Sequence, residues 1–288
     1  MNKIISKRRL SENVFRMDIE APLVAEERKA GQFIIIMVDG DMGERVPLTI
    51  ADADASRGTI TIIFQTVGAT TMKLSKLEPG SSVAAVLGPL GRPTEIRGEN
   101  GEKPGRVVCV GGGIGVAPMH PIAQALKAAG NDVTIIMGAR TEGLFVMKEE
   151  MRAIAGDKLI LITDDGSSGR KGLVTEPLKE LCEAKAVDEV ITIGPPVMMK
   201  FCALTTKPYG VKTVASLNTI MIDGTGMCGG CRLTLKQGEK KVVSFACVDG
   251  PDFNGYEVDF DEAMSRSRMY ADYERHAYEK SCNLMKKV

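Results

Sequence analysis

The sequence has no tryptophan, only two histidines (His120 and His276), and no surplus of charge: 37 basic and 37 acidic side chains give a formal net charge of +0. Balanced charge leaves no basic field to hold a polyanion, so no nucleic-acid partner is expected. Neither histidine lies near the cysteine-rich stretch described below, so a zinc site there would depend on cysteine. No apolar run approaches a membrane span; Phe33-Ile34-Ile35-Ile36-Met37-Val38 is the size of a strand. The opening Met1-Asn2-Lys3-Ile4-Ile5-Ser6-Lys7-Arg8-Arg9 lacks the apolar core of a signal peptide. Cysteines number seven, an odd set scattered along the chain, which argues against a disulfide framework and predicts a reducing, cytoplasmic setting. No Ser/His/Asp set or acid/base pair suited to an organic substrate is visible.

Glycine is what the chain has in quantity, 31 of 288 residues, and many glycines predict the tight loops that cofactor binding needs. Length predicts two domains or more, and 44% hydrophobic with 26% charged residues is ordinary for a soluble globular protein.

The patterning divides the chain. Residues 1–98 read as short, alternating or β-branched strands punctuated by glycine, which predicts a small β-barrel with one short helix at 71–77. Residues 97–104 are a polar linker. From 104 to 215 strands at 106–110, 132–137, 158–163 and 189–193 alternate with helices at 119–129, 147–155 and 175–186, the signature of a parallel α/β sheet. Residues 216–258 form a small third segment, and 259–288 a tail with helical spacing.

The third segment carries Asp223-Gly-Thr-Gly-Met-Cys228-Gly-Gly-Cys231, followed by Cys247. Plant-type [2Fe–2S] loops use C-x4-C-x2-C…C, and Asp223 stands in the first position of that spacing. Three thiolates and a carboxylate suit iron. A zinc site or free thiols are the alternatives that spacing alone leaves open.

Three further constellations suit ligands. Gly111-Gly112-Gly113-Ile114-Gly115-Val116-Ala117-Pro118 lies between a strand and a helix, where backbone amides and the helix N-terminus can meet a pyrophosphate. Gly194-Pro195-Pro196-Val197-Met198 follows a later strand on the same edge. In the barrel region, Arg45-Val46-Pro47-Leu48-Thr49, Thr66-Val67-Gly68-Ala69-Thr70-Thr71 and Gly88-Pro89-Leu90-Gly91 offer cationic, hydroxyl and helix-start groups for a flavin and its phosphates.

Taken in order, barrel, Gly-x-Gly-x-x-Pro loop, Gly-Pro-Pro-x-Met loop and cluster segment, the chain resembles the ferredoxin–NADP reductase superfamily over nearly its whole length. Within it, the cluster segment resembles the branch of the dihydroorotate dehydrogenase electron-transfer subunit. Ser216-Leu217-Asn218, the Asp223 loop, Phe245-Ala-Cys-Val-Asp-Gly250-Pro251 and Asp259-Phe260-Asp261-Glu262 are most similar to the small subunit family of NADH-dependent reduced ferredoxin:NADP+ oxidoreductases, known also as sulfide dehydrogenase subunits.

The resemblance implies FAD on Arg45, Pro47, Leu48, Thr49, Thr66, Gly68, Thr70 and Thr71, with hydride transfer near Thr49. It implies NAD(H) on Gly112, Gly113, Gly115, Pro118, Asp164, Gly194, Pro195 and Met198, and a [2Fe–2S] cluster on Asp223, Cys228, Cys231 and Cys247. It also implies a larger flavin/[4Fe–4S] partner, with bifurcation only in the assembled complex. An acidic group in Thr163-Asp164-Asp165-Gly166 suits NADH over NADPH.

The departures are specific. Arg45 stands one position ahead of the superfamily's Arg-x-Tyr-Ser/Thr, Leu48 replaces its aromatic, and Ile193 replaces a frequent Cys. Asp223 replaces the dihydroorotate subunit's Cys, favouring the bifurcating branch. An electron-transfer subunit of dihydroorotate or sulfide dehydrogenase, or, outside enzymes, a zinc-stabilised nucleotide sensor, are the alternative readings.

Overall fold

The structure, a computed structural model, describes residues 2–40, 43–99 and 102–285, with side chains as far as residue 280. Part of the 97–104 linker, residues 286–288 of the tail and the side chains of Cys282 and Leu284 lie outside the described residues.

The first sheet is antiparallel: β1 (Asn2–Ser11), β2 (Val14–Glu20), β3 (Phe33–Met37), β4 (Arg45–Asp54), β5 (Thr59–Gln65), β6 (Ser82–Val83) and β7 (Ala85–Leu90), ordered β6-β1-β2-β5-β4-β3-β7. The two ends of that order are neighbours in the chain. Val83 pairs with Asn2 of β1, Ala84 N–H donates to Met37 O at 2.9 Å, and Ala85 opposes Met37 of β3. One bent stretch thus ties both edges, and the sheet all but closes into the expected barrel. Met17, Ile19, Ile34, Ile36, Ile62 and Phe64 fill it.

β3 explains the uninterrupted run Phe33–Met37. Ile34 and Ile36 face the barrel interior, whereas Phe33 and Ile35 join a separate apolar cluster outside it with Met221, Cys231, Leu233 and Cys247. A strand covered on both faces does not alternate.

Two short helices lie in this part, α1 (Pro22–Glu27) and α2 (Ala69–Leu74). α2 starts two residues before the expected 71–77, because Gly68 is its N-cap and the Thr71 hydroxyl accepts from Gly68 N–H at 3.1 Å. α1 went unforeseen; six residues are too few for a helical period to register.

The second sheet contains β8 (Arg106–Gly112), β9 (Asp132–Ala139), β10 (Leu159–Thr163), β11 (Arg170–Lys171), β12 (Glu189–Ile193) and β13 (Lys212–Ser216), all parallel. The crossovers include α3 (Val116–Ala128), α4 (Lys148–Ala155), α5 (Thr175–Glu183) and α6 (Pro196–Thr206). After the hairpin β14 (Arg232–Gln237)–β15 (Lys240–Phe245), β16 (Asp252–Asn254) adds an antiparallel edge to β13, giving the order β11-β10-β9-β8-β12-β13-β16. The third segment is therefore sewn into the α/β sheet.

The parts share cores. Ala51 of β4 and Ile63 of β5 cluster with Val116, Met119 and Ile122 of α3. The buried His120 ring places Nδ1 3.2 Å from Ala51 O, so this histidine pins α3 to the barrel. The tail is two helices, α7 (Phe260–Ser267) and α8 (Ala271–Met285). Phe260 anchors α7 in the core, whereas α8 is exposed from 271 to 280 except at Tyr278.

Candidate redox site

Strand order reverses at β8, whose neighbours are β9 and β12, so the switch point at which such sheets bind ligands lies at the C-terminal ends of β8 and β12. The two Gly-containing loops expected to bind a dinucleotide meet there, Ile193 standing opposite Gly111. Their glycines have different tasks. A Cβ on Gly115 would lie 2.4 Å from Ile193 O, and one on Gly112 2.5 Å from Met198 Sδ and 3.1 Å from Pro195 Cδ. These two glycines let the loops pack on each other, and Gly194 does the same against Met198 Cε at 2.8 Å. Gly113 alone of this set faces open space and has φ +55, so it shapes the ligand side of the loop. Pro118 lies in the first turn of α3. Asp164 is exposed at the end of β10 on the same edge, two strands from β8, its N–H donating to Ala139 O at 3.1 Å. Neighbouring Asp165 is held below the usual carboxylate range by the Ser167 hydroxyl.

β4 presents two faces. Val46, Leu48 and Ile50 pack on the barrel core. Arg45, Pro47 and Thr49 alternate with them, and Thr49 and Pro47 pair with Phe33 and Ile35 on the outer face of β3. Leu48 thus packs toward the barrel core, and Pro47 with Thr49 hold the outer side.

The hydroxyls near α2 are engaged within the chain. Thr71 closes the helix cap, Thr70 bonds Glu44, and Thr66 donates to Asn13 O at 3.3 Å. Gly68 and the threonines after it do start a short helix, as the sequence predicts.

The cluster loop lies against this outer face. Gly224, at φ +74, has no room for a Cβ, which would meet Leu90 Cδ1 at 2.7 Å and Ile35 Cγ1 at 3.0 Å. Adjacent strands lie about 4.8 Å apart, so the Pro47–Thr49 face of β4 is one strand away from the loop that carries Asp223. That neighbourhood comes only from the barrel register.

Within the loop the donors stand as two pairs. Cys231 and Cys247 are buried with sulfurs 3.1 Å apart, beyond the ~2.05 Å of a disulfide. Burial, and then the Cys231 thiol, push the Cys247 thiol up to about 12. Cys228 is exposed; its N–H donates to Asp223 Oδ2 at 2.8 Å, and Thr225 N–H donates to Oδ1 at 2.9 Å. The Thr225 amide leads in holding the Asp223 carboxyl below its usual range. Among the described residues no three His, Cys, Asp or Glu side chains already converge as a metal site.

The pairs nevertheless fit a cluster. Gly230 N–H donates to Cys228 Sγ and Cys247 N–H to Cys231 Sγ, both at 3.4 Å, the amide-to-sulfur pattern that stabilises ligating thiolates. Asp223→Cys is expected to keep the cluster at an altered potential, since a thiolate replaces a carboxylate of equal charge. Asp223→Ala should change both spectrum and potential. An unaltered redox titration and visible spectrum for the alanine variant would remove Asp223 from the ligand set.

A family model described as the iron-sulfur cluster binding domain of dihydroorotate dehydrogenase B matches residues 218–259, and one described as an oxidoreductase NAD-binding domain matches residues 109–203. The dihydroorotate dehydrogenase B (NAD(+)) electron transfer subunit homolog of Thermotoga maritima is 44% identical over 97% of this chain and 95% of that protein. The corresponding electron transfer subunit of Geobacillus thermodenitrificans is 32% identical over 88% of this chain and 96% of that protein. The solved structure of an NADH-dependent reduced ferredoxin–NADP oxidoreductase, described in connection with flavin-based electron bifurcation, is 43% identical, covers 97% of each chain and superposes with a TM-score of 0.88. The iron–sulfur match decides between the iron–sulfur and zinc readings of the segment in favour of iron–sulfur.

Proposed function

The chain belongs to the dihydroorotate dehydrogenase B electron-transfer subunit family, and from that premise we propose that it is the NAD(H)-linked subunit of an electron-bifurcating NADH/ferredoxin:NADP+ oxidoreductase. It is an oxidoreductase subunit with NAD-binding and iron–sulfur-binding portions. The finer reading has FAD on the barrel part (1–98), NAD(H) on the α/β part (104–215), a [2Fe–2S] cluster on 216–258, and a helical tail at 259–288 that docks through residues 264–288.

One observation carries it: the outer face of β3 and β4 packs on α3, the helix that follows the glycine loop, and on the loop of Asp223. Ala51 at one end of that face is pinned to α3 behind the glycine loop, and Ile35 at the other end touches Gly224 of the cluster loop. Pro47 and Thr49 lie between. When bound, the flavin would exchange a hydride with the nicotinamide and single electrons with the cluster, a two-to-one conversion. The chain's own residues bind, orient and shield. Gly113 leaves one side of its loop open for the pyrophosphate, the Gly112/Met198 and Gly115/Ile193 contacts hold the two nucleotide loops in one position, and the Thr49 hydroxyl would donate toward the flavin edge. Asp164 favours NADH, since a carboxylate disfavours a 2′-phosphate.

Asp223 in place of a cysteine supports this reading over a dihydroorotate dehydrogenase subunit. The proposed partner is a larger flavin/[4Fe–4S] subunit in a cytoplasmic heterodimer. No helix of the described residues is long and apolar enough to cross a membrane.

α8 is the proposed docking element. Tyr273 on it and Met269 and Tyr270 just before it are exposed, and the helix touches little of its own chain beyond α2. The test is anaerobic purification of the tagged chain from its host. Full-length protein should carry FAD, iron and acid-labile sulfide and co-elute with the larger subunit. A chain ending at Met269, which spares α7, should keep NADH–dye activity and elute alone. A colourless protein sinks the cofactor reading; unchanged co-elution of the short chain sinks the docking role.

A further inference from the structure

Three arginines from three different parts of the fold reach carbonyls beside the cluster cysteines. Arg232, at the start of β14, donates from Nη1 to Gly229 O at 3.3 Å. Arg266, on α7, donates from Nη2 to Gly230 O at 3.2 Å. Arg92, directly after the barrel's Gly88-Pro89-Leu90-Gly91, donates from Nε to Val248 O at 3.1 Å, while its N–H donates to Gly250 O at 2.7 Å. None of the three was singled out in the sequence, where each reads as an ordinary surface charge.

The Gly229–Gly230 peptide shows what the arrangement does. Its carbonyl accepts from Arg232, and its N–H donates to Cys228 Sγ at 3.4 Å. A guanidinium at the oxygen end polarises the peptide and strengthens the donation at the nitrogen end. The positive charge thus reaches the sulfur through one peptide bond.

We propose that Arg232 and Arg266, with Arg92 as a weaker third member, form a guanidinium collar that raises the reduction potential of the cluster bound by Asp223, Cys228, Cys231 and Cys247. The inference rests on the iron–sulfur reading above. Four anionic ligands leave a cluster net negative, and one-electron reduction makes it more so. Fixed positive charge therefore favours the reduced form and moves the midpoint upward. Outer groups of this kind tune a metal centre without touching it.

The surroundings rank the three. Arg266 is half-buried, so water screens it least. Arg232 is exposed but, like Arg266, makes no ion pair among the described residues. Arg92 is exposed and already answered by Asp249 at 3.6 Å, so its charge is largely cancelled and its bonds chiefly hold the Cys247 turn to the barrel.

The test is an anaerobic spectroelectrochemical titration of the full chain, with iron and acid-labile sulfide measured on every sample. Glutamine keeps an N–H donor and removes the charge, whereas lysine keeps the charge. Arg266→Gln and Arg232→Gln should each lower the midpoint, Arg266→Gln more; Arg266→Lys should stay nearer the parent value, and Arg92→Gln should move it least. Unmoved midpoints in both glutamine variants at full iron content overturn the collar. If Arg266→Gln loses iron, Arg232→Gln decides: a lowered midpoint supports the collar and an unmoved one overturns it. A parent chain that holds no iron–sulfur cluster sinks the iron–sulfur reading itself, and the parent's iron and sulfide assay separates that failure from the collar's.

Discussion

Cys228→Ala is expected to strip most of the bound iron and sulfide while leaving the iron-free chain as stable as its parent. The residue is exposed and its backbone bonds belong to the peptide, so truncating its side chain opens no cavity. A surface substitution of that kind shifts stability by about 0.5 kcal/mol at most. In the proposed ligand set the thiolate is nevertheless one of three soft donors, and the Gly230 N–H is already aimed at its sulfur. Cys231→Ala and Cys247→Ala should lose the iron as well. They should also destabilise the iron-free chain, because both side chains are 2% exposed within the cluster of Phe33, Leu233 and Phe253. The checks are iron and acid-labile sulfide per chain after anaerobic reconstitution, and the unfolding midpoint of the iron-free protein. Full iron content in Cys228→Ala, with an unchanged visible spectrum, would place the cluster on other residues.

Gly113→Val should raise KM for NADH at least about tenfold, which corresponds to ~1.4 kcal/mol, with flavin content unchanged. At φ +55 a β-branched residue is strained, and its side chain would project into the open side of the loop. The proposed flavin face belongs to β4 of the barrel part and Gly113 to the α/β part, so the two cofactors should separate in the assay. Sequence alone treats Gly113 and Gly115 as equivalent. The structure separates them: a valine at 115 collides with Ile193 O, so Gly115→Val should cost folded protein and both cofactors together. Steady-state kinetics with NADH, alongside flavin absorbance per chain, read both outcomes. Parallel loss of flavin and NADH binding in Gly113→Val would mean that the loop serves the fold.

Much of this architecture was legible in advance because its signals are local. Apolar β-branched runs bounded by glycine marked the barrel strands, and the change to alternating strands and helices marked the α/β sheet. Cys109 in β8, Cys182 in α5 and Cys202 in α6 are the small buried thiols that such positions predict. Element ends were less legible. The tail reads as one helix from spacing, but the chain breaks between Ser267 and Ala271, where α7 has anchored Phe260 and α8 leaves the core. β16 was invisible, since three residues have no period, and only the open edge of β13 makes them a strand.

By itself the sequence supplied the proposed donor set, Asp223 with Cys228, Cys231 and Cys247, the glycine loops and their order along the chain, because ligand chemistry and loop composition are properties of neighbouring residues. Tertiary structure alone decided which side of β4 each residue serves. The barrel register sends Leu48 inward and sets Pro47 and Thr49 opposite Ile35 and Phe33. It also decided that Thr70 and Thr71 spend their hydroxyls inside the chain, and that arginines 92, 232 and 266 meet around one loop. Those facts depend on pairings between residues up to 156 positions apart, such as Arg92 with Val248, and no local pattern encodes a contact at that separation.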